Sequence, residues 1–280
     1  MPISDAEAYH FSVRFRLPTH QCIYSEDGLV SLDGIAGEDR LELRPTDTTV
    51  LKDARYLVLS GFGYVDEAAA AAAYKQAQKA LTLAVLESSC GIELFRDNFD
   101  VWRGVMAIGR VGAEGYAVGV TGVGADMFRA RLTRWLADDR DLTDDQSICI
   151  NLLMDYHFDL NIRSRSLLAH AVIERLCNTP IEKDAPYLEA IDSLREAAKR
   201  LAIDPTMRKL LKSDLDKLRF IGQTERIRRT IAQKLGDDRA TQYSAAANMR
   251  HKIAHHGLKA GDISWTFCSI ASDLLFDSLN

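Results

Sequence analysis

The sequence predicts an α+β N-terminal domain followed by an all-α helical bundle, and three observations carry that prediction. Before residue 65 apolar and polar residues alternate in short runs, as in Phe11-Ser12-Val13-Arg14-Phe15-Arg16-Leu17, which is the period of a strand with one buried face. Beyond residue 145 the apolar residues recur at helical spacing instead, the pattern of helices that bury one stripe. Between the two lies the charge-dense Asp138-Asp139-Arg140-Asp141-Leu142-Thr143-Asp144-Asp145, which divides the chain into 1–140 and 141–280.

Taken in order, the strand at Phe11–Leu17 is closed by Pro18. Leu41–Pro45 and Tyr56–Gly61 are further strands, separated by turn-rich segments. Asp66 or Glu67 then opens a helix that runs through the alanines 68–73 to about Glu87, with Ala77, Leu81, Ala84 and Val85 on its apolar face and Cys90-Gly91 as its stop. Ile92–Phe95 and Tyr116–Val120 return to the sheet. Glycines punctuate residues 104–124 and end in Thr121-Gly122-Val123-Gly124-Ala125-Asp126. That stretch lacks the lysine of a Walker loop and the spacing of a dinucleotide fingerprint, so an ordinary turn with Asp126 as helix cap is expected, before a helix containing Trp135. Helices follow at 145–157, 163–178, 187–203, 206–219, 223–235, 239–256 and 263–278, with Pro180, Pro186 and Pro205 at breaks. Leu167, Leu168, Ala171, Val172 and Leu176 make one apolar stripe, and Ile263, Phe267, Ile270, Leu274 and Leu275 another. No internal repeat of fixed period is visible.

With 280 residues, 47% of them hydrophobic and 27% charged, the chain has the composition of a soluble globular protein and the length for two cores. No run approaches the ~20 apolar residues of a membrane span. The start Met1-Pro2-Ile3-Ser4-Asp5 is acidic where a secretory signal is basic. Five scattered cysteines, 22, 90, 149, 177 and 268, form no C-x-x-C pair and are expected to be reduced packing residues. A cytoplasmic location without membrane contact is therefore expected.

The net charge of −5 lies wholly in the first half: residues 1–140 hold 15 basic against 20 acidic residues, and 141–280 hold 20 of each. Within the second half, 195–229 carries eleven basic residues against five acidic ones. Such a stretch is suited to a polyanion backbone, or else forms solvated helix faces.

Chemistry concentrates in Asn248-Met249-Arg250-His251-Lys252-Ile253-Ala254-His255-His256-Gly257, which holds three of the seven histidines. Histidine titrates near neutrality and arginine grips phosphate through a fork of donors, a pairing suited to phosphodiester chemistry. The spacing of Arg250 and His255 is not distinctive alone, because Arg14 with His20 and Arg165 with His170 stand similarly apart; for the latter pair, packing or helix-surface roles are expected. His251 and His255, four apart, share a helix face as zinc ligands would. However, Lys252 stands where a zincin has its glutamate and there is no clear third ligand, so no metal or cofactor is expected. In a purely structural role Arg250 would pair with a carboxylate and the histidines would form a polar helix end. On a regular helix, positions five apart diverge by about 140°. Arg250 and His255 can therefore meet only if the helix breaks near His255-His256-Gly257 or if a second subunit completes the site.

The block Met249–Gly257, late in a bundle and followed by one more helix, resembles the motif of HEPN domains. The lead-in His170-Ala171-Val172-Ile173-Glu174-Arg175-Leu176 is similar to the first long helix of Apea-like HEPN proteins. The resemblance covers about residues 145–280 and leaves 1–140 without a role. It implies a HEPN-like all-α bundle, usually a homodimer, and in many members a metal-independent ribonuclease of antiviral defence or toxin–antitoxin systems, with RNA as substrate and an antitoxin or regulatory protein as partner. It places Arg250 and His255 at the motif's arginine and histidine and His251 at the polar position after the arginine; Asn248, two residues before Arg250 in the sequence, is a supporting neighbour. Lys252 and Lys259 flank the motif as RNA-binding candidates, and Tyr243 lies near enough in sequence to approach the same cleft. Some HEPN proteins bind RNA or nucleotides without cleaving, and a dimeric interaction scaffold is a third possibility.

Overall fold

The computed structural model describes residues 8–18, 21–24, 32–33, 41–45, 53–54, 56–95, 101–103, 121–256 and 263–280. By its internal contacts the chain divides into two units, Met1–Ala169 with Leu279, and His170–Ser278 with Asn280. In the first unit β1 (Tyr9–Arg16), β2 (Gln21–Tyr24), β3 (Leu32–Asp33), β4 (Leu41–Pro45), β5 (Asp53–Ala54) and β6 (Tyr56–Tyr64) precede helix α1 (Glu67–Glu87). Then β7 (Glu93–Phe95), β8 (Val101–Arg103) and β9 (Thr121–Gly124) lead to α2 (Ala125–Leu136) and α3 (Asp144–Phe158). Helix α4 (Ile162–Leu176) crosses the division. The second unit continues with α5 (Ala185–Lys199), α6 (Pro205–Leu218), α7 (Gln223–Leu235), α8 (Asp237–His256) and α9 (Ile263–Leu279). The expected order, an α+β N-terminal region and then a helical C-terminal region, is what is found.

The main sheet is antiparallel, with strands in the order β3-β4-β6-β1, and both β7 and β8 pair along the free edge of β1. The alternation in β1 puts Phe11, Val13 and Phe15 in the core, where α1 covers the sheet. His10 and Ser12 on the opposite face are buried too, so the N-terminal half of this strand is covered on both sides. Asp66 caps α1 by accepting from the Ala69 N–H at 2.7 Å. Ala77, Leu81, Ala84 and Val85 are all buried as expected.

Helix α2 packs on α1. The Gln76 amide of α1 donates to the carbonyls of Trp135, Leu136 and Asp138, while Lys79 reaches those of Asp138 and Arg140. Carbonyls left over at the end of a helix need donors, and α1 supplies them. Beyond that join, Thr143 and Gln146 form a capping box that starts α3.

Three expectations are corrected here. Thr121–Gly124 is strand β9, parallel to β2, rather than a turn. The cap of α2 is Gly124, and Asp126 lies inside its first turn, where a carboxylate still favours the helix dipole. In α4 the buried residues are Ser166, Ala169, His170, Val172 and Ile173, with Cys177 buried just past its end, whereas Leu167 is 54% exposed, so the apolar stripe is rotated from the one expected. The expected strand at Tyr116–Val120 lies outside the described residues.

In the second unit the core gathers Ile227 and Ile231 of α7, Tyr243 and Ala246 of α8, and Phe267, Ile270, Leu274 and Leu275 of α9. Gly236, at φ +93°, joins α7 to α8 in a conformation that favours glycine. Lys234–Asp277 and Arg239–Asp273 ion pairs tie α7 and α8 to α9. Cys90, Cys149, Cys177 and Cys268 are buried, in keeping with packing roles. Among the described residues no helix is long and apolar enough to cross a membrane.

Candidate functional site

Helix α8 carries the histidine-rich block and stays helical through His256. The break near His255 that the sequence left open therefore does not occur before that residue, and positions 250 and 255 stand about 140° apart around the axis. Arg250 is half-buried and Asn248 exposed. His251, Lys252 and His255 belong to the same helix, but their side chains lie outside the described residues, as does Lys259 altogether.

Seven residues is close to two full turns, so Arg250 shares a face with Tyr243. Tyr243 is 1% exposed, which makes this the inward face of α8. There it meets α4 and α9. The Tyr243 and His170 rings stack with centroids 6.1 Å apart, and Phe267 of α9 meets His170 edge-on at 5.1 Å.

The polar atoms of this cluster form a chain. Nδ1 of His170 lies 3.1 Å from Oε1 of Glu174, one helical turn along α4. A carboxylate only accepts, so Nδ1 carries the proton and, in the neutral ring, Nε2 is left as an acceptor. The Tyr243 hydroxyl lies 3.4 Å from Nε2 and is the group that donates to it. Burial pushes the His170 pKa down to about 4, and the positive charge of Arg250 acts in the same direction. Burial also pushes Tyr243 up to about 12, helped by Glu174 and Cys177 and opposed by Arg250. At neutral pH both rings are uncharged, and Arg250 is the cation whose field they feel.

Among the described residues Arg250 has no carboxylate partner. Among the described residues α8 makes its salt bridge elsewhere, through Arg239. A guanidinium can hold an anion through its fork of donors.

The structure thus joins Tyr243, His170 and Glu174 in one cluster, whose two rings feel the charge of Arg250. The sequence pointed to Tyr243 only as a neighbour and to His170 as a packing or helix-surface residue, and its 5% exposure decides for packing. What the sequence reading missed is their pairing. The i, i+4 placement of His170 and Glu174 beside Ala169, Val172 and Ile173 was the available clue. Arg165 of the earlier Arg–His pair lies over the Tyr156 ring at 4.3 Å in the first unit, and Arg14 sits in β1 while His20 lies outside the described residues.

No protein-family model, curated protein or solved structure matches this chain.

Proposed function

We propose that the chain is a metal-independent endoribonuclease of HEPN type, acting in bacterial defence or a toxin–antitoxin system. The observation that carries this reading is Arg250, half-buried on the inward face of α8 without a carboxylate partner among the described residues. RNA brings its own nucleophile, so the protein has to supply charge for the phosphorane-like transition state and a route for two protons. Arg250 holds the non-bridging oxygens of the phosphate. One His255 imidazole takes the proton of the 2′-hydroxyl as O2′ bonds to phosphorus. The P–O5′ bond breaks as the departing oxygen takes a proton from water, and the His255 imidazolium gives its proton to the hydroxide so formed, which restores the base. The products are a 2′,3′-cyclic phosphate and a 5′-hydroxyl. His251 and Asn248 flank the arginine as supporting residues, and Lys252 and Lys259 hold neighbouring phosphates.

The neutral His170–Tyr243 pair beside Arg250 also suits a site that binds RNA or a nucleotide without cutting it, since neither ring is charged at neutral pH. One experiment separates the two. Wild type, Arg250→Ala and His255→Ala are incubated with mixed RNAs in EDTA, and product ends are analysed for cyclic phosphate. Each substitution is expected to lower cleavage at least about hundredfold with an unchanged circular dichroism spectrum. Unchanged cleavage by both variants removes the proposal, and salt-sensitive binding without any cleavage by wild type establishes the binding reading.

A further inference from the structure

The excess of positive charge over residues 195–229 resolves, in the structure, into two unequal groups. Six of the eleven basic residues are engaged by carboxylates: Arg195 by Asp192 and Asp216, Lys199 by Glu196, Lys217 by Asp214, Arg219 by Asp192 and Glu182, and Arg228 and Arg229 by Glu225. The remaining exposed cations gather at one end of the α5–α6 hairpin. Arg200 caps α5. Arg208 has one guanidinium nitrogen on the Leu201 carbonyl at 2.9 Å. Lys209 and Lys212 have no ion-pair partner among the described residues.

These cations face a groove. Helices α5 and α6 pack against each other, and between them is a space of about 980 Å3 lined by the apolar Ala198, Pro205 and Leu215 and, from α6, by Arg208, Lys209 and Lys212. The α5 side brings Asp192 and Glu196, both already paired, and Glu189, which has no cation partner among the described residues. The charges left uncommitted in the groove are thus predominantly positive and sit on α6.

The hairpin holds its form without filling that space. At its base Glu182 and Phe220 form an antiparallel bridge, with Ile221 N–H donating to the Ile181 carbonyl and Lys183 N–H to the Arg219 carbonyl. Only Ile191 of α5 and Leu215 of α6 are buried. The groove is a preformed cleft of ligand-binding size.

We propose that the α5–α6 groove holds single-stranded RNA, its phosphates on Lys209, Lys212 and Arg208 and its sugars and bases over the apolar lining. The choice of ligand rests on the ribonuclease reading of α8. Arg208 to Lys212 spans about 6 Å along the helix, so the three cations present a short row of charge to a strand that carries a phosphate on every unit. An acidic protein segment would also meet positive charge here, but the repeating anion of a nucleic acid matches a row of cations better than isolated carboxylates do.

The test is fluorescence anisotropy with a labelled single-stranded RNA of about a dozen nucleotides, using full-length His255→Ala protein so that the RNA survives. Lys209→Gln/Lys212→Gln in that background should weaken binding about tenfold and lower the slope of log K against log salt by about 1.4, the release expected for two lost phosphate contacts. Lys217→Gln, which removes an already paired cation from the same helix, should change neither. Binding and slope unchanged in the double variant overturn the proposal. So does an equal loss in Lys217→Gln, which would mean diffuse surface charge, and so does displacement of the RNA by polyglutamate at matched charge, which would assign the groove to an acidic protein segment. The cleavage assay is scored separately. Cleavage lost on Arg250→Ala with wild-type binding in the double variant removes only the groove. Binding lost as stated, with cleavage unaffected by Arg250→Ala and His255→Ala, removes only the catalytic reading.

Discussion

His170 is the residue in which packing and electrostatics meet. It is 5% exposed and its pKa lies at about 4 against an ordinary value of 6.5, because burial disfavours the imidazolium and Arg250 repels it. Glu174 attracts the charged form, but it is partly exposed, and solvent weakens that attraction. A histidine with a depressed folded pKa takes up its proton in the unfolded chain first. Its neutral form therefore costs nothing above pH 6.5, and stability falls as pH drops from about 6.5 to about 4, levelling off below. The full shift corresponds to roughly 3 kcal/mol. His170→Asn should flatten this part of the pH dependence, compared with wild type by urea denaturation at pH 7 and pH 4.5. An equal fall in both proteins would place the titrating group elsewhere. Little of this was legible from residue type: Glu174, four positions on, was the local clue, but Tyr243 on the other side of the ring is 73 positions away.

At the scale of elements, legibility followed how local the cause was. Helix α7 lies at Gln223–Leu235, as expected, because Gly222 and Gly236 punctuate both ends of a strongly amphipathic run. Strand β9 was hidden because what makes Thr121–Gly124 a strand is its parallel pairing with β2, about a hundred residues earlier; its glycines read as a turn on their own. The two-residue strands β3 and β5 are too short for any periodicity. In α4 the leucines suggested a stripe that packing rotated toward His170 and Cys177.

The seat of α3 beside the end of α1 shows a further non-local contact. The Gln21 side chain accepts from the Gly91 N–H at 2.8 Å and lies 3.3 Å from His157 of α3. A Cβ on Gly91 would come within 2.5 Å of the His157 Cβ and 3.2 Å of Phe158 and Pro18. Because the nearest of these atoms is anchored directly to the α3 backbone, a rotamer change cannot make room. Gly91→Ala should destabilise the protein by about 1–3 kcal/mol, read as a lower midpoint in thermal or urea unfolding. An unchanged midpoint would mean that α3 yields easily there.

For the whole molecule, the five-residue spacing on an uninterrupted α8 makes the subunit arrangement a consequence of the proposed chemistry. Arg250 and His255 diverge by about 140°, so one copy cannot close both onto a single phosphate, whereas a two-fold pair brings each arginine to the other copy's histidine and creates two equivalent composite sites. Sedimentation should accordingly find a dimer. Mixing gives a sharper test of sharing between copies. Arg250→Ala and His255→Ala homodimers are each inactive in this scheme. After unfolding and refolding together, about half the dimers are mixed, and each mixed dimer pairs an intact Arg250 from one chain with an intact His255 from the other in one of its two sites. Cleavage should return to about a quarter of the wild-type level. If both residues of a site came from the same chain, each mixed dimer would hold only half-sites and the mixture would stay as inactive as its components. Recovery therefore depends on the sharing itself, and its absence in a mixture shown by mass to contain mixed dimers would eliminate the composite site.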